Sequence, residues 1–355
     1  MLKNGPILVL RTGALGDMVQ FSAVIAALAD HHDQPVDVLT QGGFADQVLT
    51  GMPEIGRFFA LRHRHRPAWL APDLVLLART LAQRRYSEAY TFDRSPVIER
   101  SLAMSGTHLH TALSSSAVHN LDNYAAVLDR LGVVAPRPLL PRVVVTDLER
   151  RSAQELLQRH ALHDCPLIVI QPGNSRTLHP LHRLRPQRNL KAWPSASWST
   201  TLVALARQYP TVGFALLGAP SEWRVCQEVL AGLPPAIQQR TANLALELPI
   251  SSLKGLLERA RGCLSVDTGP AHLAAAVGCP SIVLFGPADP AAMAPRGPTE
   301  VRTVVSGVSC SPCYGTPRRV ACRDNVCMRS LQVAQVLEAW TSLQHAATTR
   351  MRLTA

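Results

Sequence analysis

The sequence has 355 residues, of which 47% are hydrophobic and 17% are charged. This length and composition exclude a peptide hormone and a disordered protein, and they predict two domains of ordinary size. Lys and Arg number 36 against 25 Asp and Glu, which gives a net charge of +11. A positive charge of this size favours an anionic partner, such as a phosphorylated substrate, a nucleic acid or an acidic membrane face.

The cysteine content and the N-terminal sequence predict a reducing, cytoplasmic location. Eight cysteines are too few for a disulfide scaffold in a chain of this length, and no signal-peptide core precedes the first apolar run, Ile7–Leu10. The longest apolar stretch, residues 272–288, is interrupted by glycine and proline. It therefore does not supply the roughly 20 unbroken apolar residues of a membrane-spanning helix.

Strand-like and helical patterns alternate along most of the chain, which predicts βαβ units and parallel sheets. In the first half the predicted strands are Ile7–Arg11, Val36–Thr40, Phe58–Leu61 and Glu88–Phe92, with helices at Asp17–Asp30 and Asp73–Arg85. In the second half the predicted strands are Leu167–Gln171, Val212–Leu217, Leu264–Val266 and Ser281–Phe285, with helices at Ser197–Gln208, Glu222–Leu230 and Ser252–Ala260. The two halves therefore predict two similar α/β units.

Proline spacing and the end of the alternation predict the domain boundaries. Prolines are dense over Ala135–Pro141, so a linker is predicted within residues 136–165. After Val305 the alternation ends in a loop that contains cysteines, and Ser330–His345 has the pattern of an amphipathic helix. The predicted parts are an N-terminal domain over residues 1–160, a second domain over residues 161–330 and a closing helix over residues 331–348.

A glycine-containing loop joins the first predicted strand to the first predicted helix. Its sequence is Arg-Thr-Gly-Ala-Leu-Gly-Asp, residues 11–17. Gly13 and Gly16 allow a tight turn and a close approach to a ligand, and Asp17 is placed either to cap the helix or to face a ligand. A dinucleotide fingerprint requires three glycines at another spacing, so an NAD-dependent enzyme is disfavoured.

A second loop-helix segment follows the third predicted strand of the second half. Here Asp267, Thr268 and Gly269 precede Pro270, a residue that suits the first position of a helix. Free backbone N–H groups and the helix dipole at such a terminus favour a phosphate, and Asp267 can accept hydrogen bonds from sugar hydroxyls. His272 lies in the first helical turn, where it either contacts a ligand or packs in the interior.

Three motifs together carry a resemblance to a known family. Residues 11–17, residues 267–276 and the Phe-Gly-Pro sequence at 285–287 resemble glycosyltransferase family 9, the ADP-heptose:lipopolysaccharide heptosyltransferases. The resemblance implies an α/β fold of the GT-B type, in which two Rossmann-like domains with parallel sheets face each other across a cleft. It also implies an inverting, metal-independent transfer of heptose from ADP-heptose to an acceptor of the lipopolysaccharide core or a related glycan.

The resemblance also implies roles for individual residues. Asp17 corresponds to the family's loop aspartate, the general base for the acceptor hydroxyl, and Thr12, Gly13 and Gly16 lie beside it on the acceptor side. Lys191, in Lys-Ala-Trp-Pro, matches the element whose lysine contacts the pyrophosphate. The residues expected to bind the donor are Asn174, Ser175, Lys191, Glu222, Asp267, Thr268, Gly269, Pro270 and His272.

Glu222 has a second explanation. By analogy with related folds it suits the ribose of the nucleotide, and this assignment depends on the resemblance. A glutamate in the first turn of a helix also interacts favourably with the helix dipole. Both interpretations of Glu222 stay open at the level of the sequence.

Basic residues cluster over residues 57–66 and over residues 176–191. Arg62 and Arg64 are expected on the acceptor side, where they suit acceptor phosphates or an anionic membrane surface, although basic runs are also typical of solvated surfaces. No nucleic-acid-binding motif accompanies these runs, so no nucleic acid partner is expected. The expected partners are an ADP-activated sugar donor, a phosphorylated lipid or glycan acceptor, and the cytoplasmic face of the inner membrane, bound peripherally.

Four cysteines lie close together near the C-terminus: Cys310, Cys313, Cys322 and Cys327. Their number suits a structural metal ion, but their spacing is not that of a standard zinc finger. A zinc site, an iron site, reduced thiols and a disulfide pairing all stay open, and we expect no cofactor in catalysis. The other four cysteines lie in apolar surroundings and are expected in the core: Cys165, Cys226, Cys263 and Cys279.

Two segments depart from the family pattern. Asp93 begins Asp-Arg-Ser-Pro where family members often continue Asp-x-Gln-Gly, and a basic insertion separates Ser175 from Lys191. Both departures leave the acceptor open among a core sugar, an O-chain sugar and a protein. Two other functions also stay open, namely a nucleotide-sugar epimerase of the same fold and a non-catalytic, basic, metal-stabilised binding protein.

Overall fold

The structure is a computed structural model of the chain. It describes residues 5–41, 43–61, 72–93, 95–112, 118–174 and 189–354. By their internal contacts the residues divide into two compact units, and the division falls between Val144 and Val145. This point lies within the stretch for which the sequence predicts a linker.

The first unit is a parallel sheet with helices. Its elements in chain order are β1 (Ile7–Leu10), α1 (Leu15–His32), β2 (Val36–Gln41), α2 (Ala45–Leu49), β3 (Ile55–Leu61), α3 (Pro72–Gln83), β4 (Glu88–Thr91), α4 (Pro96–Met104), β5 (His108–Thr111) and α5 (Asn120–Arg130). The five strands are parallel in the order β3-β2-β1-β4-β5. β1 is completely buried and α1 is buried along most of its length, as the apolar sequences of both elements require.

The second unit has the same plan with one more strand. Its elements are α6 (Asp147–Arg159), β6 (Leu167–Gln171), α7 (Ser195–Gln208), β7 (Gly213–Leu216), α8 (Trp223–Ala231), α9 (Pro235–Gln238), β8 (Thr241–Asn243), α10 (Ile250–Arg259), β9 (Gly262–Val266), α11 (Gly269–Ala276), β10 (Ser281–Phe285), α12 (Pro290–Met293), β11 (Val301–Val305), α13 (Pro317–Ala321), α14 (Val326–Arg329) and α15 (Val333–Thr354). The six parallel strands have the order β11-β10-β9-β6-β7-β8. Numbered within the unit, this is the order 3-2-1-4-5-6 of dinucleotide-binding folds, read from the opposite edge.

Two helices at the ends of the second unit are held by buried contacts. The sequence places α6 in the first domain, but α6 packs against α10 in the second unit. Lys254 Nζ pairs there with Glu149 Oε1 at 2.9 Å, and neither side chain is more than 5% exposed. Burial lowers the pKa of Lys254, against the opposing effect of Glu149. α15 packs on α7, β10 and β11, with Trp340 completely buried.

Every strand predicted from the sequence is present, with ends that differ by three residues at most. The sequence does not predict β5, β8 and β11, which all lie at sheet edges. β5 reads His-Leu-His-Thr and β8 reads Thr-Ala-Asn, so neither has the apolar run of a central strand. Among the described helices, none has the length and apolar character that crossing a membrane requires.

Candidate functional site

The residues singled out from the sequence lie at the switch points of the two sheets. The strand order reverses between β1 and β4 in the first sheet and between β6 and β9 in the second. Ligands of open α/β sheets bind outside the carboxyl ends of strands at such points. The loop of residues 11–17 follows β1, and Asp93 lies just beyond β4. Residues 172–174 follow β6, and Asp267 follows β9, so each unit has a candidate site of its own.

Asp17 lies in the first turn of α1, which begins at Leu15 with Ala14 as its N-cap residue. Asp17 Oδ2 accepts a hydrogen bond from the Ala14 N–H at 2.9 Å. A Cβ at Gly13 would lie 2.6 Å from Asp17 Cβ, so only glycine at position 13 lets the carboxylate approach the loop. Gly16 is buried in the same turn, whereas Asp17 is partly exposed. Asp17 therefore caps the helix and still reaches the surface.

Asp93 holds the loop after β1. Its Oδ1 pairs with the Arg11 guanidinium at 2.8 Å, and its Oδ2 accepts hydrogen bonds from the N–H and the hydroxyl of Thr12. Thr12 is 3% exposed, so these hydrogen bonds are made away from water. Thr12 therefore has a structural role in the loop, and Asp93 fixes the backbone from which Asp17 projects.

A buried tyrosine lies behind this loop. The Tyr124 ring packs edge-on against Phe21 and Phe92. Burial raises the pKa of Tyr124 to about 12; the charge of Arg11 opposes this shift and that of Asp17 adds to it. Within the described residues the Tyr124 hydroxyl has no hydrogen-bond partner of good geometry. Although burial opposes it, Tyr124 and the nearby carboxylates raise the pKa of Arg11, so Arg11 remains a cation beside Asp17.

Lys191 and Asp267 form an ion pair at the carboxyl edge of the second sheet. Lys191 Nζ lies 2.6 Å from Asp267 Oδ2 and also donates to the Asp267 main-chain oxygen at 3.2 Å. The two side chains are 24% and 10% exposed, so the pair is shielded but not fully buried. The structure thus brings together two residues that the sequence assigns separately to the donor.

The C-terminal segment supports the Lys191 loop. The Asn325 side-chain amide donates to the Ala192 oxygen at 2.8 Å, and the buried Trp193 indole N–H donates to the main chain just before α15 at 3.0 Å. The Tyr314 ring centroid lies 5.7 Å from Lys191 Nζ, at the distance of a cation–π contact. The position of the ammonium group therefore depends on residues more than a hundred positions away.

The Phe-Gly-Pro sequence at the end of β10 is hydrogen-bonded to the same C-terminal segment. The Pro287 oxygen accepts the N–H groups of Cys313 and Tyr314, each at 2.8 Å. The Ser311 hydroxyl donates to the Gly286 oxygen at 2.5 Å. The main chain of this motif therefore anchors the segment that carries Tyr314.

Asn174 and Glu222 are both 4% exposed near the end of β6. The Asn174 amide donates to Asn189 Oδ1 at 2.8 Å, which links the β6 loop to the Lys191 loop. Glu222 is the last residue of a 3-10 helix that begins at Pro220, and its Oε2 accepts the Ala219 N–H at 2.6 Å. α8 begins at Trp223, one residue after the predicted start, and Glu222 is its N-cap residue. Burial raises the pKa of Glu222, with hydrogen bonds acting in the opposite direction.

α11 begins at Gly269, one residue before the predicted start at Pro270. Its N-cap residue, Thr268, has an extended backbone. Among the described residues, the Thr268 side chain makes no capping hydrogen bond to the helix. Pro270 has no N–H and the Ala271 N–H donates to the Thr268 oxygen, so it is the helix dipole that favours an anion at this helix start. His272 is 9% exposed and lies in the first turn.

The four C-terminal cysteines are free thiols, and Cys313 and Cys327 are buried. Burial raises the pKa of Cys327 to about 11. In the part of the chain that is described, one group of three or more His, Cys, Asp or Glu side chains has its ligand atoms within 4.8 Å of one another, and it contains no cysteine. The disulfide pairing left open by the sequence is not formed, and a structural metal ion at these cysteines stays a prediction. Of the other four cysteines, Cys165 is only partly buried and the rest lie in the core.

Several predicted residues lie outside the described ranges: Ser175, Arg62, Arg64 and most of the basic stretch 176–191. Conversely, sequence reasoning did not assign roles to Asp93, Tyr124, Asn189 and Tyr314. Asp93 had a usable signal, because a carboxylate just beyond a strand next to β1 lies at the switch point. Asn189, Tyr124 and Tyr314 had none, since their contacts join distant parts of the chain.

Comparison with known sequences identifies the family. The profile described as glycosyltransferase family 9 (heptosyltransferase) matches residues 110–322, which is more than half of the chain. The chain therefore belongs to glycosyltransferase family 9 and is a glycosyltransferase.

Several curated relatives match over most of their length. Lipopolysaccharide heptosyltransferase 2 of Escherichia coli is 23% identical over 301 residues, 80% of this chain and 83% of the relative. Lipopolysaccharide heptosyltransferase 1 of Salmonella typhimurium is 23% identical over 326 residues, 86% and 94% of the two chains. With lipopolysaccharide heptosyltransferase 1 of Pseudomonas aeruginosa the identity is 31%, but this match spans only 32% of that protein.

Solved structures share the fold. A family 9 glycosyltransferase from Veillonella parvula superposes with a TM-score of 0.76 at 18% identity, covering 96% of this chain and 97% of that one. The ADP-heptose lipopolysaccharide heptosyltransferase II of Escherichia coli superposes with a TM-score of 0.73 at 20% identity, covering 97% of this chain and 99% of that one. The iron-containing glycosyltransferase TibC of enterotoxigenic Escherichia coli superposes with a TM-score of 0.55 at 14% identity, covering 98% of this chain and 78% of that one. The GT-B class, with two parallel-sheet α/β domains, is confirmed.

Proposed function

We propose that this protein transfers heptose from ADP-heptose to an acceptor of the lipopolysaccharide core or a related glycan. The transfer inverts the anomeric configuration and needs no metal ion in the chemical step. Membership of family 9 and relatives named lipopolysaccharide heptosyltransferases support the proposal. The observation that carries it is the position of Asp17, a partly exposed carboxylate held by Gly13 and Ala14 at a sheet switch point.

Asp17 acts as the general base. Its carboxylate takes the proton of the acceptor hydroxyl as the oxygen forms a bond to the anomeric carbon of heptose. The bond from that carbon to the β-phosphate oxygen breaks on the opposite face, and ADP leaves with the electron pair. Asp17 then releases the proton to water. Arg11, which is paired with Asp93, helps to fix the loop from which Asp17 projects.

The second unit binds the donor. The Lys191 ammonium and the positive end of the α11 helix dipole stabilise the negative charge that develops on the leaving diphosphate. The Asp267 carboxylate holds the ammonium in position and, together with Glu222, suits hydroxyl groups of the donor. Asn174, Ser175 and His272 complete the proposed donor site, with Thr268, Gly269 and Pro270 forming the helix start.

The net positive charge of the protein supports a proposal for the kind of acceptor and for its location. The net charge of +11 favours a phosphorylated lipid or glycan and the anionic cytoplasmic face of the inner membrane, to which we propose a peripheral association. Arg62 and Arg64 are proposed to contact acceptor phosphates. The four C-terminal cysteines are proposed to hold a structural metal ion with no part in the reaction, and metal analysis of protein with Cys310→Ser tests this.

A thermal-shift screen of the full chain tests the donor. A ligand that binds only the folded protein raises the Tm, and at a fixed ligand concentration a tighter ligand raises it more. We expect ADP-heptose to raise the Tm more than UDP- or GDP-sugars do, and we expect Lys191→Ala to remove most of that shift. A shift with UDP-sugars and none with ADP-heptose would contradict the proposed donor. Isomerised donor in the absence of acceptor would instead identify an epimerase.

A further inference from the structure

Two neighbouring strands of the first sheet carry a cluster of metal-ligating side chains. β4 begins with Glu88, and β5 carries His108 and His110. The parallel register pairs Glu88 with His108 and Tyr90 with His110. Paired residues of neighbouring strands, and alternate residues of one strand, share a face of a sheet. Glu88, His108 and His110 therefore project on the same side.

The ligand atoms of these three side chains all lie within 4.8 Å of one another. His110 Nε2 lies 2.8 Å from Glu88 Oε2, and the rings of His108 and His110 have centroids 4.4 Å apart. In a tetrahedral zinc site, bonds of about 2.1 Å separate neighbouring ligand atoms by about 3.4 Å. Small side-chain rotations are enough to bring three ligand atoms to that separation.

Neighbouring side chains hold the carboxylate in place. The Tyr90 hydroxyl donates to Glu88 Oε2 at 2.8 Å, and the Tyr90 ring stacks on His110 with centroids 4.5 Å apart. His32, at the end of α1, has its Nε2 2.9 Å from the Tyr90 hydroxyl. Because that hydroxyl uses its hydrogen on Glu88, His32 donates to it. Hydrogen bonds of this kind orient the ligands of metal sites and strengthen them.

We propose that Glu88, His108 and His110 form a binding site for a divalent transition metal ion, with Zn²⁺ the best match. Two imidazoles and one carboxylate are a donor set that zinc accepts, with water in the fourth position. His108 is exposed and His110 is 21% exposed, so an ion can enter from solvent. The ion takes the place of the N–H that joins His110 Nε2 to Glu88 Oε2, and the neutral imidazole then carries its proton on Nδ1.

The position of the cluster makes it a structural site. Glu88 opens β4, whereas Asp93 follows the end of that strand, about 16 Å further along at 3.3 Å per residue. The site is therefore at the opposite end of β4 from the loop that carries Asp17. A bound ion ties the edge strand β5 to β4, and it stabilises the first unit without taking part in transfer.

Zinc titration of chelator-treated, untagged full chain by calorimetry tests the site. We expect wild type to bind Zn²⁺ and His108→Gln to bind it at least about 10-fold more weakly, since losing a ligand costs no less than losing an outer hydrogen bond. His31→Gln is the matched control, because His31 is exposed on α1 and contacts His32 without belonging to the ligand set. Glu88→Gln is the second variant, as it keeps an acceptor for Tyr90 and removes the charge.

Cobalt spectra separate this site from the cysteine segment. Thiolate ligands give charge-transfer bands in the near ultraviolet, whereas nitrogen and oxygen ligands give only the weak visible bands of tetrahedral Co²⁺. We expect His108→Gln to lose visible bands that His31→Gln keeps. Equal zinc affinity and equal spectra in wild type and His108→Gln overturn the proposal. So does wild-type protein that binds no zinc at about 1 mM, in which case the cluster is a hydrogen-bond network alone.

Discussion

The two sheets carry opposite chemistry at equivalent places. At the switch point of the first sheet, Asp17 and Asp93 offer carboxylates beside the cation of Arg11. At the switch point of the second, Lys191 offers an ammonium group, paired with Asp267 just before the N-terminus of α11. Strand, loop and helix are arranged alike in both. The fold therefore determines where each candidate site lies, and the side chains determine which part of the proposed reaction each unit is suited to.

The two sites also differ in how they are held. Asp93, one strand away, holds the loop after β1 by direct hydrogen bonds. The Lys191 loop depends on Tyr314 and Asn325, from a C-terminal segment that is itself anchored on Pro287. Loss of an anchor is therefore expected to act on different properties in the two units.

Asp17→Asn is expected to have the largest effect. The variant keeps a side-chain oxygen that can accept the Ala14 N–H but cannot take a proton, so kcat should fall about 10²–10⁴-fold. The donor Kd should stay unchanged, because Asp17 belongs to the first unit and the proposed donor residues to the second. Turnover and donor binding are measured separately. Asp30→Asn, an exposed position on the same helix, is the control, and wild-type turnover in Asp17→Asn would remove Asp17 as the base.

Asp93→Ala is expected to lower the free energy of unfolding of the first unit. The change leaves Arg11 and the buried Thr12 N–H without their acceptor, which costs about 2–4 kcal/mol of unfolding free energy. Urea unfolding with a probe in the first unit measures this loss. Asp17→Asn should change the same free energy by less than about 1 kcal/mol. Equal losses in the two variants would mean that both carboxylates are structural.

Lys191→Ala should weaken donor binding about 10–100-fold, because it removes a charge-assisted hydrogen bond and leaves Asp267 uncompensated near the diphosphate. Calorimetry with ADP measures the change. Arg207→Ala, which removes an exposed positive charge from α7, is the control for net charge. A similar weakening of ADP binding in both variants would show that Lys191 contributes only through the net positive charge of the protein.

Tyr314→Leu tests whether the aromatic ring supports donor binding through Lys191, and a smaller effect is expected. The variant keeps an apolar side chain but removes the ring beside the Lys191 ammonium, so the ADP Kd should rise by a few-fold, in line with a cation–π contact of about 0.5–1 kcal/mol. In the Lys191→Ala background the same change should have no effect on the ADP Kd. An effect that persists there would mean that Tyr314 acts on the donor directly.

Glu222→Gln is expected to have the smallest effect at neutral pH and a definite pH dependence. Burial raises the pKa of the folded carboxyl above its ordinary value of 4.5. The folded protein therefore binds this proton more tightly than the unfolded chain, and stability falls as the pH rises from 4.5 through the raised pKa. Gln has no such titration and can still accept the Ala219 N–H. The variant should equal or exceed wild type in unfolding free energy at pH 7 and lose that advantage below pH 4.5. An advantage that grows on acidification would contradict the pKa shift.

The sequence predicts the parts of the site that follow central strands. Asp17, Asp267 and the α11 start come just after apolar runs, so the rule for parallel sheets is enough to place them. Lys191 needed the family resemblance, because it lies in a loop far from its partner. Asp93, which positions the loop of Asp17, follows a predicted strand and could have been found by the same rule. Tyr314, which lies beside Lys191, acts across a separation that periodicity does not encode.

Edge strands and side-chain clusters formed by register are the other features that sequence reasoning missed. β5 reads His-Leu-His-Thr, which lacks an apolar run, so it is not predicted as a strand. Its two histidines meet Glu88 only because β5 pairs with β4 in one register. A shift of β5 by one residue would turn both histidines to the other face, away from Glu88. That register depends on the whole sheet, not on the local sequence.

A transfer assay with product analysis tests the central claim most directly. The full chain is incubated with ADP-heptose and a lipopolysaccharide acceptor that lacks core heptose, and the product is analysed by mass spectrometry and by NMR of its anomeric signals. The account predicts one heptose added for each ADP released, with the anomeric configuration opposite to that of the donor. ADP release without a gain in acceptor mass, or a product with retained configuration, would contradict an inverting transfer with Asp17 as base.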